Sequence, residues 1–325
     1  MAGRHLKELF RAFRTNDELA FRRAALEIIE EEQGKHHNVL ARDLRRLLAV
    51  GANVTVDTAS FTVLPDPPKD REEEWTLAEV RKPQRTLDDL VISPQPSTML
   101  QQIVAEVRRW ADLDRRGLPR RQRFLFQGPP GCGKTSAAEA VAAELERPLV
   151  VVSLDAVVSS YLGETASNLR RVLDYANNSP FVVLFDEFDA LGRSRDDVAE
   201  HGEMKRVVTT FLQMLDKYQG PSVIIAATNH PGLLDTALWR RFDEVVTFDK
   251  PSVHDMRRLL RLRLRAVPHS GVNIDMYAGA LKGLPHAAAE KLALDARRSA
   301  VIGDREYVTS QDMDQALSQI IRRPW

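Results

Sequence analysis

The sequence predicts an α/β protein: a parallel β-sheet sandwiched by helices, with a C-terminal helical lid domain and a small N-terminal helical domain. Three observations predict it. A glycine-rich loop, Gly128 to Thr135, stands between a short β-type run and an Ala-rich helical segment. Almost wholly apolar strands, Leu149 to Leu154 and Phe181 to Phe185, alternate with segments of helical periodicity, as expected when both faces of a sheet are covered. After Pro251 the pattern is helical only.

The N-terminal residues 1–50 read as three short helices. Leu6, Leu9, Phe10 and Phe13 recur at three- and four-residue steps. Thr15 and Glu18 form a capping-box pattern opening a second helix that carries Leu19, Phe21, Leu26 and Ile29 and ends near Gly34. Val39, Leu40, Leu44 and Leu48 mark the third. So small a bundle has little core of its own, which points to an accessory domain. Residues 51–85 are expected to be a linker, because Pro65 to Glu74 is proline-rich and charged. Trp75, Leu77 and Val80 are expected to dock on the next domain. The large domain spans 86–250, with helices expected over Thr98–Leu113, Ser136–Leu145, Leu169–Asn177 and Met204–Tyr218. Further strands are expected at Arg123–Phe126, Val223–Ala227 and Val245–Phe248. The lid domain is expected over 251–325.

Among the 325 residues, 46 Lys and Arg balance 46 Asp and Glu, so no global attraction to nucleic acid or an anionic membrane follows. The single cysteine, Cys132, excludes an internal disulfide and suits a reducing cytoplasm. No apolar run approaches the length of a membrane span, and a cytoplasmic protein is expected.

The chemistry begins at Gly128-Pro129-Pro130-Gly131-Cys132-Gly133-Lys134-Thr135, which fits G-x-x-x-x-G-K-[ST]. Glycines let consecutive backbone N–H groups face an anion, Lys134 adds charge at the β- and γ-phosphates, and the Thr135 hydroxyl is placed for Mg²⁺. Some fifty residues on, the strand before Asp186-Glu187 delivers two carboxylates: Asp186 for the metal shell, and Glu187 to activate water. Asn229 ends another strand, where its amide can hold that water. Arg240 and Arg241 end an expected helix, in position to stabilise transition-state charge in a neighbouring subunit.

The ordered set GPPGCGKT, VVLFDE, ATN and ALWRRFD resembles the AAA ATPase family, ring-forming proteins that remodel macromolecules, from about Thr86 to the C-terminus. The resemblance implies ATP and Mg²⁺ as cofactors, ATP hydrolysis, a homo-oligomer of hexameric type and a protein target. Residues Gly128 to Ser136 would hold the nucleotide, and Leu90 and Val91 belong to the segment that in the family runs beside the adenine. Thr135 and Asp186 would hold the metal, and Asn229 corresponds to sensor 1. Gly283 to Ala287 corresponds to sensor 2, without an arginine, as in the clade that dispenses with one. Tyr161-Leu162-Gly163-Glu164 resembles the first pore loop, and His201 to Met204 the second. Two departures stand out: Arg240 and Arg241 are adjacent where Pro-Gly usually separates them, and Pro285-His286 replaces small residues in the lid.

The N-terminal bundle also resembles that of stand-alone bacterial AAA ATPases that work beside a subtilisin-like protease in phage defence. The chain has no H-E-x-x-H and no G-x-S-x-G, so any proteolysis belongs to a partner. Two rivals remain. A nucleic-acid-acting loader would need a basic lining, for which Arg115-Arg116 and Arg120-Arg121 are the tight candidates. A nucleotide-dependent switch would need no pore aromatic.

Overall fold

The computed structural model describes residues 66–69, 76–157, 162–191, 209–233, 239–265 and 267–325, together with Ala25. Contacts separate the chain into Met1–Thr62 and Val63–Trp325. The expected N-terminal helices lie outside the described residues apart from Ala25, which is helical, and Trp75 lies outside them as well.

Six strands form one sheet: β1 (Ala78–Arg81), β2 (Arg123–Gln127), β3 (Leu149–Val152), β4 (Val182–Phe185), β5 (Val223–Thr228) and β6 (Glu244–Thr247). Their order is β1-β3-β4-β5-β2-β6. Every neighbouring pair is parallel except β1 with β3. Successive side chains of a strand point to opposite faces, and the apolar runs serve two cores at once. Val183, Phe185, Ile224 and Ala226 face one core with Leu169, Val172, Phe188 and Phe211. Val182, Leu184, Val223 and Ile225 face the other with Leu100, Ile103, Ala137 and Val141. Each large apolar side chain so buried contributes about 1.5–3 kcal/mol.

The second core is covered by α1 (Pro94–Val107), α2 (Trp110–Arg115) and α3 (Lys134–Glu144). Buried alanines at 137, 138, 140 and 142 let α3 lie close to the sheet. On the other face are α4 (Leu154–Val157), α5 (Leu162–Asn178) and the helical residues of α6, 209–217. Beyond the sheet come α7 (Val253–Leu264), β7 (His269–Ser270), α8 (Ile274–Ala280), α9 (His286–Ile302), β8 (Val308–Thr309) and α10 (Ser310–Ile321). They enclose a third core of Met256, Leu260, Tyr277, Leu292, Met313 and Ile320, joined by Val91.

The structure corrects several details. Residues 51–85 are not all linker. Ala78–Arg81 is an edge strand antiparallel to β3, with Leu77 and Ala78 fully buried. Four residues are too few for alternation to stand out beside a charged tract. The helix expected over Thr98–Leu113 begins at Pro94, where a proline is tolerated in the first turn, and breaks at Arg108–Arg109. Leu154 opens a helix rather than closing a strand. The lid region is not helix only, because His269 pairs with Val308 and Ser270 with Thr309 in a parallel bridge. Two residues carry no readable period. Among the described residues no helix is long and apolar enough to cross a membrane.

The placement of β5 between β2 and β4 prepares the site. Gln127 pairs with Thr228, and Phe185 with Ala226, so the carboxyl ends of three strands meet at one edge. The next residues along each strand, Gly128, Asp186 and Asn229, are therefore delivered together.

Candidate functional site

Gly128 leaves β2 with φ 142° and passes so close to the last strand that an added Cβ would stand 2.0 Å from the Phe248 carbonyl oxygen. Gly131, at φ 70°, faces the start of α9: a Cβ there would meet the Ala287 methyl at 3.0 Å. The Ala287 N–H donates to the Gly131 carbonyl at 3.0 Å, fastening the lid to the loop. Cys132 is buried, and burial pushes its thiol pKa up, so it acts as a small packing residue rather than a nucleophile. Lys134 is buried as well. Its ammonium donates to the Gly128 carbonyl at 2.7 Å and the Pro129 carbonyl at 2.9 Å, and burial lowers its pKa.

Across the loop, the Thr135 hydroxyl donates to Asp186 Oδ2 at 2.6 Å. A hydroxyl and a carboxylate oxygen brought together at the N-terminus of α3 are a donor set suited to a hard divalent cation beside a phosphate. Glu187 is exposed and holds φ 50°, uncommon for a residue with a side chain, while its N–H donates to Asp186 Oδ1 at 2.9 Å. Asn229 is fixed through its backbone: its N–H donates to Asp189 Oδ1 at 3.1 Å, as does the Thr228 hydroxyl at 3.1 Å. Asp189 itself is 1 % exposed.

These groups line one end of a cavity of about 330 Å³, the size of a small-molecule site. Lys134, Thr135, Ser136, Asp186, Glu187 and Asn229 form its polar end; Leu90, Val91, Ile92, Leu259 and Ala287 add an apolar wall, on which His286 also stands. The structure thus brings Pro130 to Ser136, Asp186, Glu187, Asn229, Leu90 and Val91 into one pocket. Gly128 and Pro129 do not line it and instead accept from the Lys134 ammonium through their carbonyls.

Sequence reasoning missed Asp189 and a chain of charge along the wall. Arg85 Nη1 donates to the Ser136 hydroxyl at 2.7 Å and lies 3.7 Å from Glu290 Oε1, which accepts from Arg263 at 2.6 Å. Three lone residues in a coil and two helices carry no pattern, and only the fold joins them. Arg240 and Arg241 are exposed, and neither lines the pocket. Arg241 is ion-paired with Asp216, which also faces Arg123 at 3.6 Å. Tyr161 and His201 lie outside the described residues, and Leu162 opens α5 without a described side chain. Among the described residues no group of three or more His, Cys, Asp or Glu is arranged to hold a metal.

Residues 124–250 match the family model described as ATPase family associated with various cellular activities (AAA). An uncharacterised AAA family ATPase of Sinorhizobium fredii is 40 % identical over 99 % of this chain and 96 % of its own length. The ATP-dependent zinc metalloprotease FtsH of Halothermothrix orenii is 32 % identical over 74 % of this chain, which spans 39 % of that protein. The proteasome-activating nucleotidase of Thermococcus onnurineus is 28 % identical over 85 % of this chain and 72 % of its own.

Proposed function

The chain belongs to the AAA family of ATPases, and we propose that it couples ATP hydrolysis to threading or remodelling a protein target. The observation that carries the reading is the meeting of Thr135 and Asp186 at 2.6 Å, with Glu187 and Asn229 on the same pocket.

The backbone of Gly128 to Thr135 and the Lys134 ammonium would hold the phosphates, while Thr135 and Asp186 would hold Mg²⁺. When bound, that ion neutralises charge on the phosphate oxygens. Glu187 takes the proton of the attacking water, and Asn229 orients that water. The exposed Arg240 serves the pocket of a second copy, because Arg241 is already committed to Asp216. Such a trans arginine requires an assembled homo-oligomer, for which we propose a hexamer. Tyr161, Leu162 and His201 are the proposed channel residues that grip the polypeptide. Relatives named for proteasome activation and for ATP-dependent proteolysis support a protein target. A separate protease that consumes the remodelled chain in antiviral defence is a further part of this reading, and the cytoplasm is its proposed location.

The nucleic-acid alternative loses three of its four candidate arginines to acidic neighbours. Arg115 is ion-paired with Asp112, Arg120 with Asp114 and Arg121 with Glu106. Paired arginines on an otherwise balanced chain make a weak phosphate track.

The test is a pull-down with Glu187→Gln, which should keep ATP, lose turnover by orders of magnitude and retain the protein target. Lys134→Ala should lose nucleotide and target together. Tyr161→Ala should hydrolyse ATP within a few-fold of wild type while losing work on the target. A Glu187→Gln protein with near wild-type ATPase would overturn the assignment of the base.

A further inference from the structure

His286 is the first residue of α9 and lines the apolar wall of the pocket, yet it is 9 % exposed. Neither ring nitrogen has a hydrogen-bond partner, although the Val91 carbonyl lies near. A buried polar side chain left without partners is uncommon and calls for a reason. The wall on which it stands carries the aliphatic Val91, Ile92 and Leu259, together with the charged Arg85, Asp89, Arg263 and Glu290, of which Arg85 and Arg263 both face Glu290. The backbone around it is firmly placed, since the next residue, Ala287, is bonded to Gly131.

We propose that His286 is a nucleotide-positioning residue that hydrogen-bonds the nucleoside end of ATP, so that the bound nucleotide supplies the partner its ring lacks. The inference rests on the ATP site proposed above. Burial lowers the imidazole pKa, against the pull of the Asp255 and Glu290 carboxylates and the Val91 carbonyl. The ring is therefore neutral at pH 7, with one N–H donor and one acceptor nitrogen. Either can meet a base edge or a ribose hydroxyl, which the aliphatic side chains of Val91, Ile92 and Leu259 cannot do. Pro285 fixes the backbone ahead of the ring, which limits the freedom lost when the contact forms.

The experiment compares full-length wild type, His286→Leu, His286→Gln and Lys134→Ala by calorimetric binding of ATP, 2′-deoxy-ATP, GTP and inorganic tripolyphosphate. His286→Leu keeps the bulk and removes the polar atoms. It should weaken ATP roughly three- to tenfold, the worth of one neutral hydrogen bond, while leaving tripolyphosphate unchanged. His286→Gln should recover part of the loss. A loss seen with ATP but not 2′-deoxy-ATP assigns the contact to the sugar; a change in the ATP-to-GTP ratio assigns it to the base. Equal losses for ATP and tripolyphosphate, or no loss in a folded His286→Leu protein, would overturn the proposal. If His286→Leu does not fold, a His286→Gln protein that binds both ligands as weakly as Lys134→Ala would overturn it too. Failure of the underlying ATP site looks different: wild type would then bind none of the four ligands, and Lys134→Ala would change nothing.

Discussion

At the scale of single residues, the site depends on groups that never touch the pocket. Asp189 is buried, and it accepts from both the Thr228 hydroxyl and the Asn229 N–H. It thereby sets the turn that presents Asn229. Removing that acceptor strands two donors, each costing about 1–3 kcal/mol. Asp189→Ala should therefore melt several degrees lower and lose turnover while still binding ATP. Melting curves beside turnover and binding assays check this, and an unchanged turnover would show that Asn229 needs no such support. Gly128 makes a sharper case. Its φ of 142° and the 2.0 Å approach of the Phe248 oxygen leave no room for a methyl group. Gly128→Ala should lose nucleotide binding, read by the same binding assay.

At the scale of elements, side-chain caps mark where α7, α8 and α10 begin: Ser252, Asn273 and Thr309. Thr309 and Asp312 form a capping box at the start of α10, and Asp312 also accepts two bonds from Arg305, at 2.6 and 2.7 Å. The Arg305 guanidinium and the Thr309 donors hold the Asp312 carboxyl well below the usual carboxylate range. The unfolded state therefore takes up a proton first as pH falls. The stabilisation is present in full above the unfolded value, about 3.9, and is lost as pH drops toward the folded one. Asp312→Ala should cost about 1–3 kcal/mol at pH 7, because the Arg305 and Thr309 donors lose their acceptor. Urea unfolding at pH 7 and below pH 4 should show the gap between variant and wild type narrowing in acid. A gap that stays constant would mean the carboxylate charge is not what stabilises α10.

At the scale of the whole molecule, Arg240 is exposed and does not line the pocket of its own chain. If a second copy receives it, the ATPase rate per chain should rise with concentration. Mixing Arg240→Ala with Lys134→Ala should restore activity above either alone, because each supplies what the other's interface lacks. A rate that stays flat down to a demonstrated monomer by analytical ultracentrifugation would rule out the trans arginine.

The sheet class and most of the phosphate end are written in the chain itself. Gly128 to Thr135, Asp186 and Glu187 are legible because each follows a strongly apolar strand, and strand ends in a parallel sheet are where ligands are met. The order of the strands is not legible. It is decided by which faces pack, and it alone places Asn229 between the loop and the carboxylates. The edge strand β1 and the β7–β8 bridge stay hidden because such short pairings carry no readable period. The chain Arg85–Glu290–Arg263 and the unpartnered ring of His286 emerge only on folding. Ion pairs join residues up to 205 positions apart in sequence, as between Arg85 and Glu290, and no local pattern encodes that meeting.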